Sequence, residues 1–275
     1  MSVGVFLPVI VLTYMQYRSL AELQDKTKGA FKDNLRQGLT IVERQMKLRL
    51  EDLAAQTLGP VSSIDLSSPA TAEEIEKHFG NVKRSHPEID EIIAYSEDKE
   101  QPGAYVYSDK FVKTAQADFT PTLSQFEKAR LAQSFLDGNR KYLFVHNSCS
   151  RCPPGMRPGA YLFYLFEEPT RGFAGVLLNE RFVTDDLIAR TISQTAGQSH
   201  SGTAPLAMAV TISDENSRIL YSTGTAQNGY LLQSNFGPPF SNWKAEVGLK
   251  NTNLDDFARN SFLHSAGATV LVLVV

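Results

Sequence analysis

Basic clusters, cysteines and catalytic signatures are all scarce in this chain. Lys and Arg number 27 against 30 Asp and Glu, and no segment concentrates them. A formal net charge of -3 over 275 residues leaves no dense cationic face for phosphate, which argues against a nucleic-acid partner. The two cysteines, Cys149 and Cys152, are too few for a disulfide-stapled scaffold. No G-x-G-x-x-G, Walker loop, G-x-S-x-G or H-E-x-x-H is present. His200-Ser201 lies in a small polar stretch without the strand-turn-helix elbow that a nucleophilic serine needs. The pairs Asp185-Asp186 and Asp255-Asp256 stand where helices are expected to start, and there carboxylates favour the dipole. No catalytic residue and no cofactor are therefore expected. Hydrophobic residues make up 42% of the chain, enough for one large domain or two small ones.

What is present begins at the two ends. Val3 to Tyr14 reads VGVFLPVIVLTY, with no charge before Arg18, and Ala266 to Val275 reads AGATVLVLVV. A spanning helix needs about 20 apolar residues, so each run is roughly half to two-thirds of a membrane segment. A signal peptide fits the first poorly, because it lacks a basic start and a small-residue cleavage site. A buried strand is the competing account of the second. The expectation is a truncated transmembrane helix at 1-17 and a helix at 253-275 entering a truncated second one.

Between them, a helix is expected over 18-58. Leu20, Leu23, Phe31, Leu35, Leu39, Val42, Met46, Leu50 and Leu53 form one apolar stripe, with charged residues on the reverse face. Such a helix would reach about 60 Å, too long for a compact domain to cover alone. Phe31, Leu35, Leu39, Val42 and Met46 are accordingly the candidate surface of a homodimer, with packing along the helix's own domain as the alternative.

A first module is expected over 59-195. It has a helix from about Thr71 to Phe79 and a hairpin of Glu91 to Ser96 with Ala104 to Ser108. An amphipathic stretch follows from Thr122 to Leu136. Strands over Lys141 to Asn147, Ala160 to Glu167 and Gly172 to Asn179 then form an antiparallel meander, followed by a helix from Asp185 to Ser193. After a polar linker, a smaller β-rich unit is expected over 205-252, with strands at Leu206 to Ile212, Arg218 to Ser222 and Trp243 to Leu249. The fold class is α+β, with sheets and helices segregated rather than alternating.

Several phrases carry a resemblance: HPEIDEIIAYS, RGFAGVLLNERFV, MAVTISDENSRILYS and PFSNWKAEVGLKNTNLDDFARNSFLHS, in that order behind a long first helix. Together they resemble the extracytoplasmic Cache or PAS-like sensor regions of bacterial histidine kinases, over nearly the whole chain. The resemblance implies that residues from about 18 to 264 lie outside the cytoplasm, anchored in the inner membrane. It also implies a homodimer and a small-molecule or protein signal, and it makes the smaller unit membrane-proximal. Chemoreceptors and diguanylate cyclases carry similar sensors, and a membrane-tethered binding protein or enzyme without a kinase output is the alternative. The second unit is short for a full module. The only tryptophan, Trp243, lies far from where the amino-acid-binding motif of double Cache sensors would place one.

The same resemblance implies a ligand cavity between the sheet and whatever covers it, with Tyr107, Arg140, Tyr142, His146, Tyr161 and Tyr164 as candidate polar contacts. One further local feature is His146-x-x-Cys149-x-x-Cys152-Pro153. Pro153 excludes haem attachment, which needs His directly after the second Cys. A disulfide between Cys149 and Cys152, two unlinked thiols, or a metal held by His146, Cys149 and Cys152 stay open. The last lacks an evident fourth ligand.

Overall fold

A computed structural model of the chain describes residues 3-63, 69-96, 103-107, 111-114, 122-123, 126, 142-147, 158-165, 172-198, 208-224 and 231-250. Helix α1 runs unbroken over Val3–Thr57, so the expected boundary at residue 17 falls inside one rod. It ends in a 3-10 turn, Gly59–Ser63, where Pro60 cannot continue the ladder. Among the described residues no helix is long and apolar enough to cross a membrane. The expected segment at 253-275 lies outside the described residues, as do most of the amphipathic stretch at 122-136 and the loop carrying Cys149 and Cys152.

Helix α2, Pro69–Ser85, is longer than its expected span from Thr71 to Phe79. Phe79 and Val82, three residues apart, are both buried and extend its apolar face past Gly80. Lys83 and Arg84 in the last turn suit the negative end of the helix, and the His86-Pro87 pair stops it.

Six strands follow in the first sheet: β1 (Ile89–Ser96), β2 (Gly103–Tyr107), β3 (Phe111–Thr114), β4 (Tyr142–Asn147), β5 (Gly159–Leu165) and β6 (Gly172–Leu178). Their order is β3-β2-β1-β6-β5-β4, with all neighbours antiparallel. The expected meander β4-β5-β6 is present, and β1 closes against β6 to complete the centre. A helical segment at 180-198 comes next. It comprises a π-helical stretch, Phe182–Ala189, continuing into α3, Arg190–Gln198. Asn179 starts it, its side-chain oxygen accepting the Phe182 N–H at 2.7 Å. The expected capping role of Asp185 is thereby corrected, since the helix has already begun five residues earlier.

The second sheet holds β7 (Met208–Ser213), β8 (Ile219–Ser222), β9 (Leu231–Asn235) and β10 (Lys244–Leu249), in the order β8-β7-β10-β9. β3 and β9, which the sequence pattern does not announce, are both short edge strands. An edge strand buries less of itself and needs no sustained apolar run. The β7-β8 turn is built on Asp214, whose Oδ1 accepts the N–H groups of Asn216 and Arg218 at 2.8 and 2.9 Å.

One continuous apolar core joins the long helix to both sheets. Leu35, Val42, Met46, Leu50 and Leu53 of α1 share it with Phe144 and Leu162 of the first sheet and with Ile212, Phe240 and Trp243 of the second unit. The stripe on α1 is therefore covered from Leu35 onward by its own chain. Leu35, Val42 and Met46 are buried and Leu39 packs partly against the same core, so these four do not form an open dimer surface as expected. The side chain of Phe31 lies outside the described residues. Two other apolar residues of α1, Ile41 and Leu48, are 40% and 48% exposed.

Candidate functional site

The first sheet has two faces of different chemistry. On the face towards α1, rows such as Ile92-Val176-Leu162-Phe144 fill the main core, aliphatic at the centre of the sheet and aromatic at β4. On the opposite face, one row runs across five strands: Val106, Ile93, Gly175, Phe163 and Leu143. Around it lies a separate cluster containing Tyr95, Phe126, Tyr161, Phe173 and Leu177. Gly175 is what lets the aromatic rings lie flat across β6. A Cβ there would stand 2.7 Å from Phe163 Cδ1 and about 3 Å from the Ile93 side chain. Phe126 arrives from outside the sheet and stacks on Phe173 with ring centroids 4.0 Å apart, meeting Phe163 edge-on at 5.5 Å. Such a face packs against an apolar cover, and its rings are buried. Tyr95 and Tyr161 bring the only hydroxyls of this cluster among the described residues.

The five described candidate contact residues do not converge. Tyr161 alone belongs to the aromatic face. Tyr107, Tyr142, His146 and Tyr164 belong to the other, α1-side rows. Tyr142 is buried and donates its hydroxyl to Glu51 of α1 at 2.9 Å. Tyr107 meets Phe79 of α2 edge-on, 6.1 Å between centroids. It also borders an open groove of about 740 Å³ with Glu73, Glu76, Lys77, Lys83 and Arg84. Arg140, Cys149 and Cys152 lie outside the described residues.

His146 stands at the junction of the two sheets. Strand β4 presents Phe144 and His146 to the loop at 236-243, where Trp243 meets both rings edge-on at 5.9 and 5.6 Å. Phe240 stacks on Trp243 at 4.9 Å and touches Phe144 at 5.5 Å. Asn242 donates its side-chain amide to the His146 carbonyl at 3.0 Å. The imidazole is 3% exposed, and among the described residues neither ring nitrogen has a hydrogen-bond partner. Its Nε2 is 3.7 Å from Glu180 Oε2, an ion-pair distance too long for a hydrogen bond. Glu180 is held from the other side by Arg218 of the β7-β8 turn, at 2.9 Å. Burial pushes the imidazole below its ordinary value, while Glu180 and Asp214 pull it up and Arg218 pushes it down again.

Helix α1 is tied to both units by charged side chains. Glu43 accepts the Gly237 N–H of the second unit at 3.0 Å. That approach is close enough that a Cβ at Gly237 would stand 2.8 Å from the same carboxylate oxygen. Arg49 donates to the Asp186 carbonyl at 2.7 Å and to Gln194 Oε1 at 2.9 Å. Glu43 and Arg49 flank the stripe, three or four residues from Leu39, Met46 and Leu53, and Glu51 lies on its reverse side; nothing in that spacing marks them as tethers. Among the described residues, no cluster of three or more His, Cys, Asp and Glu could hold a metal ion.

No family model and no curated protein sequence matches this chain. Solved structures do. The sensory domain of the Campylobacter jejuni chemoreceptor Tlp3 with isoleucine bound superposes with a TM-score of 0.52 at 8% identity, covering 85% of this chain and 97% of that one. The ligand-binding domain of Tlp3 in complex with L-valine gives 0.50 at 7% identity, with the same coverage. The periplasmic sensory domain of the C. jejuni chemoreceptor Tlp1 gives 0.38 at 10%, covering 80% and 93%. What the two Tlp3 domains share with this chain is the fold, which here is a long first helix carrying two antiparallel sheet modules.

Proposed function

We propose that this chain is the extracytoplasmic input region of a membrane-bound signalling receptor, with a histidine kinase as the first choice of output. The observation that carries the reading is the fold shared with the Tlp3 sensory domain over 85% of the chain. The mechanics of α1 support it. One rod is bonded to the first unit through Arg49 and Glu51 and to the second through Glu43, so a change at either sheet acts on the same helix. In this reading residues 1-17 belong to a membrane segment, 18-58 to the signalling helix, 59-195 to the membrane-distal module and 205-252 to the proximal one. Residues 253-275 return to the inner membrane.

The receptor is a homodimer in this reading, and its contact surface differs from the stripe expected from sequence. Ile41 and Leu48, seven residues apart, lie on one exposed side of α1, and a seven-residue step keeps both on one seam between paired helices. The signal is read at the aromatic face of the first sheet. The Tlp3 domain is described with isoleucine and with L-valine bound; Phe163 and Phe173 are 0% and 1% exposed, so in this reading a branched aliphatic side chain enters by displacing the apolar cover of the face.

Two experiments test this. An alkaline phosphatase fused after Lys250 is active only if that point is exported. Activity is expected, and an inactive but stable fusion overturns the extracytoplasmic placement. A thermal-shift screen of the chain against aliphatic amino acids, organic acids and aromatic acids tests the input. Saturation at about 100 times Kd adds about 2.7 kcal/mol, several degrees in Tm. A shift with aliphatic amino acids that disappears in Phe163→Ala is the expected result. A ligand whose shift survives that change binds elsewhere.

A further inference from the structure

The polar atoms left without partners concentrate at one place. Among the described residues, five buried side-chain nitrogen and oxygen atoms have no hydrogen-bond partner. Four of them belong to His146, Asp214 and Trp243, at or beside the contact between the sheets. A buried polar group without a partner is destabilising, and this contact holds several. The groups present also compete. Glu180 reaches Arg218 at 2.9 Å and His146 at 3.7 Å, through different oxygens.

We propose that His146 is an acid-sensitive latch between the two sheets, making the proton an input of this protein. As a neutral ring it lies in the aromatic junction against Trp243, Phe144 and Phe240. As an imidazolium it draws Glu180 away from Arg218 and loosens β4 from the loop at 236-243. Opening lets water reach the ring, which a charged imidazole requires and a neutral one does not. Among the described residues, the charged groups acting on the ring are Glu180, from the start of the helical segment at 180-198, and Asp214 and Arg218, from the β7-β8 turn. Strand β4 itself carries none, and the 236-243 loop contributes Asn242 and Trp243, both neutral.

The sign of the pH effect follows from burial. The folded imidazole sits below its ordinary value, so over mildly acidic pH the opened chain binds the proton more readily than the closed one. The closed junction is therefore fully stable above about pH 6.5 and loses stability as pH falls through the window beneath it. The latch gives the receptor reading a stimulus but does not depend on it. Its test reads the junction itself, so its failure leaves the receptor reading standing.

Trp243 is the only tryptophan of the chain, which makes intrinsic fluorescence a local probe of the latch. The full chain is titrated from about pH 7.5 to about pH 5 with EDTA present, which removes any metal bound near Cys149 and Cys152. A single quenching and red-shift transition with its midpoint below about 6.5 is expected. Faster deuterium exchange in β4 and at 236-243 should accompany it. His146→Gln should abolish both. Two milder variants decide the matter if His146→Gln fails to fold. Glu180→Gln should move the midpoint down and Arg218→Gln should move it up, each by about half a pH unit. A transition that persists in folded His146→Gln overturns the proposal. So does one that neither charge variant moves, or a wild-type junction unchanged to pH 5.

Discussion

Arg49 and Asp186 meet across the join between the long helix and the segment linking the two sheets. The guanidinium donates to the Asp186 backbone carbonyl at 2.7 Å, and its second nitrogen bonds Gln194 Oε1 at 2.9 Å. The carbonyl belongs to a π-helical stretch, a wider winding that is uncommon and concentrates at functional positions. A planar fork can hold two acceptors two turns apart, whereas an ammonium offers a single point charge. Arg49→Ala is expected to lower stability by about 1.5–3 kcal/mol, the range for hydrogen bonds to charged groups. Arg49→Lys should recover less than half of that. Urea unfolding measures the loss, and faster amide exchange confined to 182-198 distinguishes a local release from global destabilisation. Uniform acceleration along the chain would mean that Arg49 is not a specific tether of this segment.

How much of this was legible depends on which distance is asked about. Alternation within a strand places Tyr142, Phe144 and His146 on one face and Leu143 and Val145 on the other, and the structure agrees. The meander of β4, β5 and β6 follows from its short connections. The relation between strands is a different matter. Tyr161 and Tyr164 stand an odd step apart on β5, so alternation already puts them on opposite faces and disperses the expected pocket; what register adds is that Tyr161 lies beside Val145 and Tyr164 beside Tyr142. The stripe of α1 likewise shows that the helix has a partner without showing whose. Met46 and Leu50 are fully buried in a core shared with both sheets, which lie well downstream in the chain. The sequence sets His146 near two cysteines, but its aromatic neighbours and Glu180 come from segments that no local motif connects to it.

Gly175 gives a direct test of the aromatic face. A methyl group added there meets the Phe163 ring at 2.7 Å and Ile93 at 3.0 Å, and both neighbours are buried with no free direction to move. Gly175→Ala is expected to destabilise by about 1–3 kcal/mol, the usual penalty for overpacking a filled core. Adding Phe163→Leu in the same chain should restore part of it, because the smaller side chain vacates the clashing position. Thermal unfolding of the two variants separates a steric clash from a backbone requirement, since only the first is relieved by the second change.

Asp214 is 1% exposed, and its Oδ1 accepts two N–H groups that close the β7-β8 turn. Ser217 in the same turn has φ 62°, a left-handed conformation that a side chain disfavours. Asp214→Ala leaves both N–H groups without their acceptor and should cost about 1–3 kcal/mol. Asp214→Asn keeps an acceptor oxygen and should lose less. Ser217→Gly should stabilise by up to about 1 kcal/mol, because glycine adopts this φ without strain. Opposite signs for the two substitutions, read from denaturant midpoints, are the expected outcome. A destabilising Ser217→Gly would show that its side chain, rather than its backbone, holds the turn.

The two sides of α1 make different predictions for charge. Met46 is fully buried between the helix and the sheets, so Met46→Glu places an unpaired carboxylate in the core and should prevent stable folding. Ile41 and Leu48 are 40% and 48% exposed, so Ile41→Glu and Leu48→Glu leave the monomer's packing intact. If these two form the seam between paired helices, each change places like charges opposite one another across the two-fold axis and should shift the chain from dimer to monomer. Sedimentation of the wild type and both variants, alongside their thermal unfolding, reads association and folding separately. A dimer that survives the double change Ile41→Glu/Leu48→Glu must be held by another surface. A wild type that remains monomeric at high concentration in detergent would remove the dimer from the proposal, while the burial of Met46 would still require Met46→Glu to unfold.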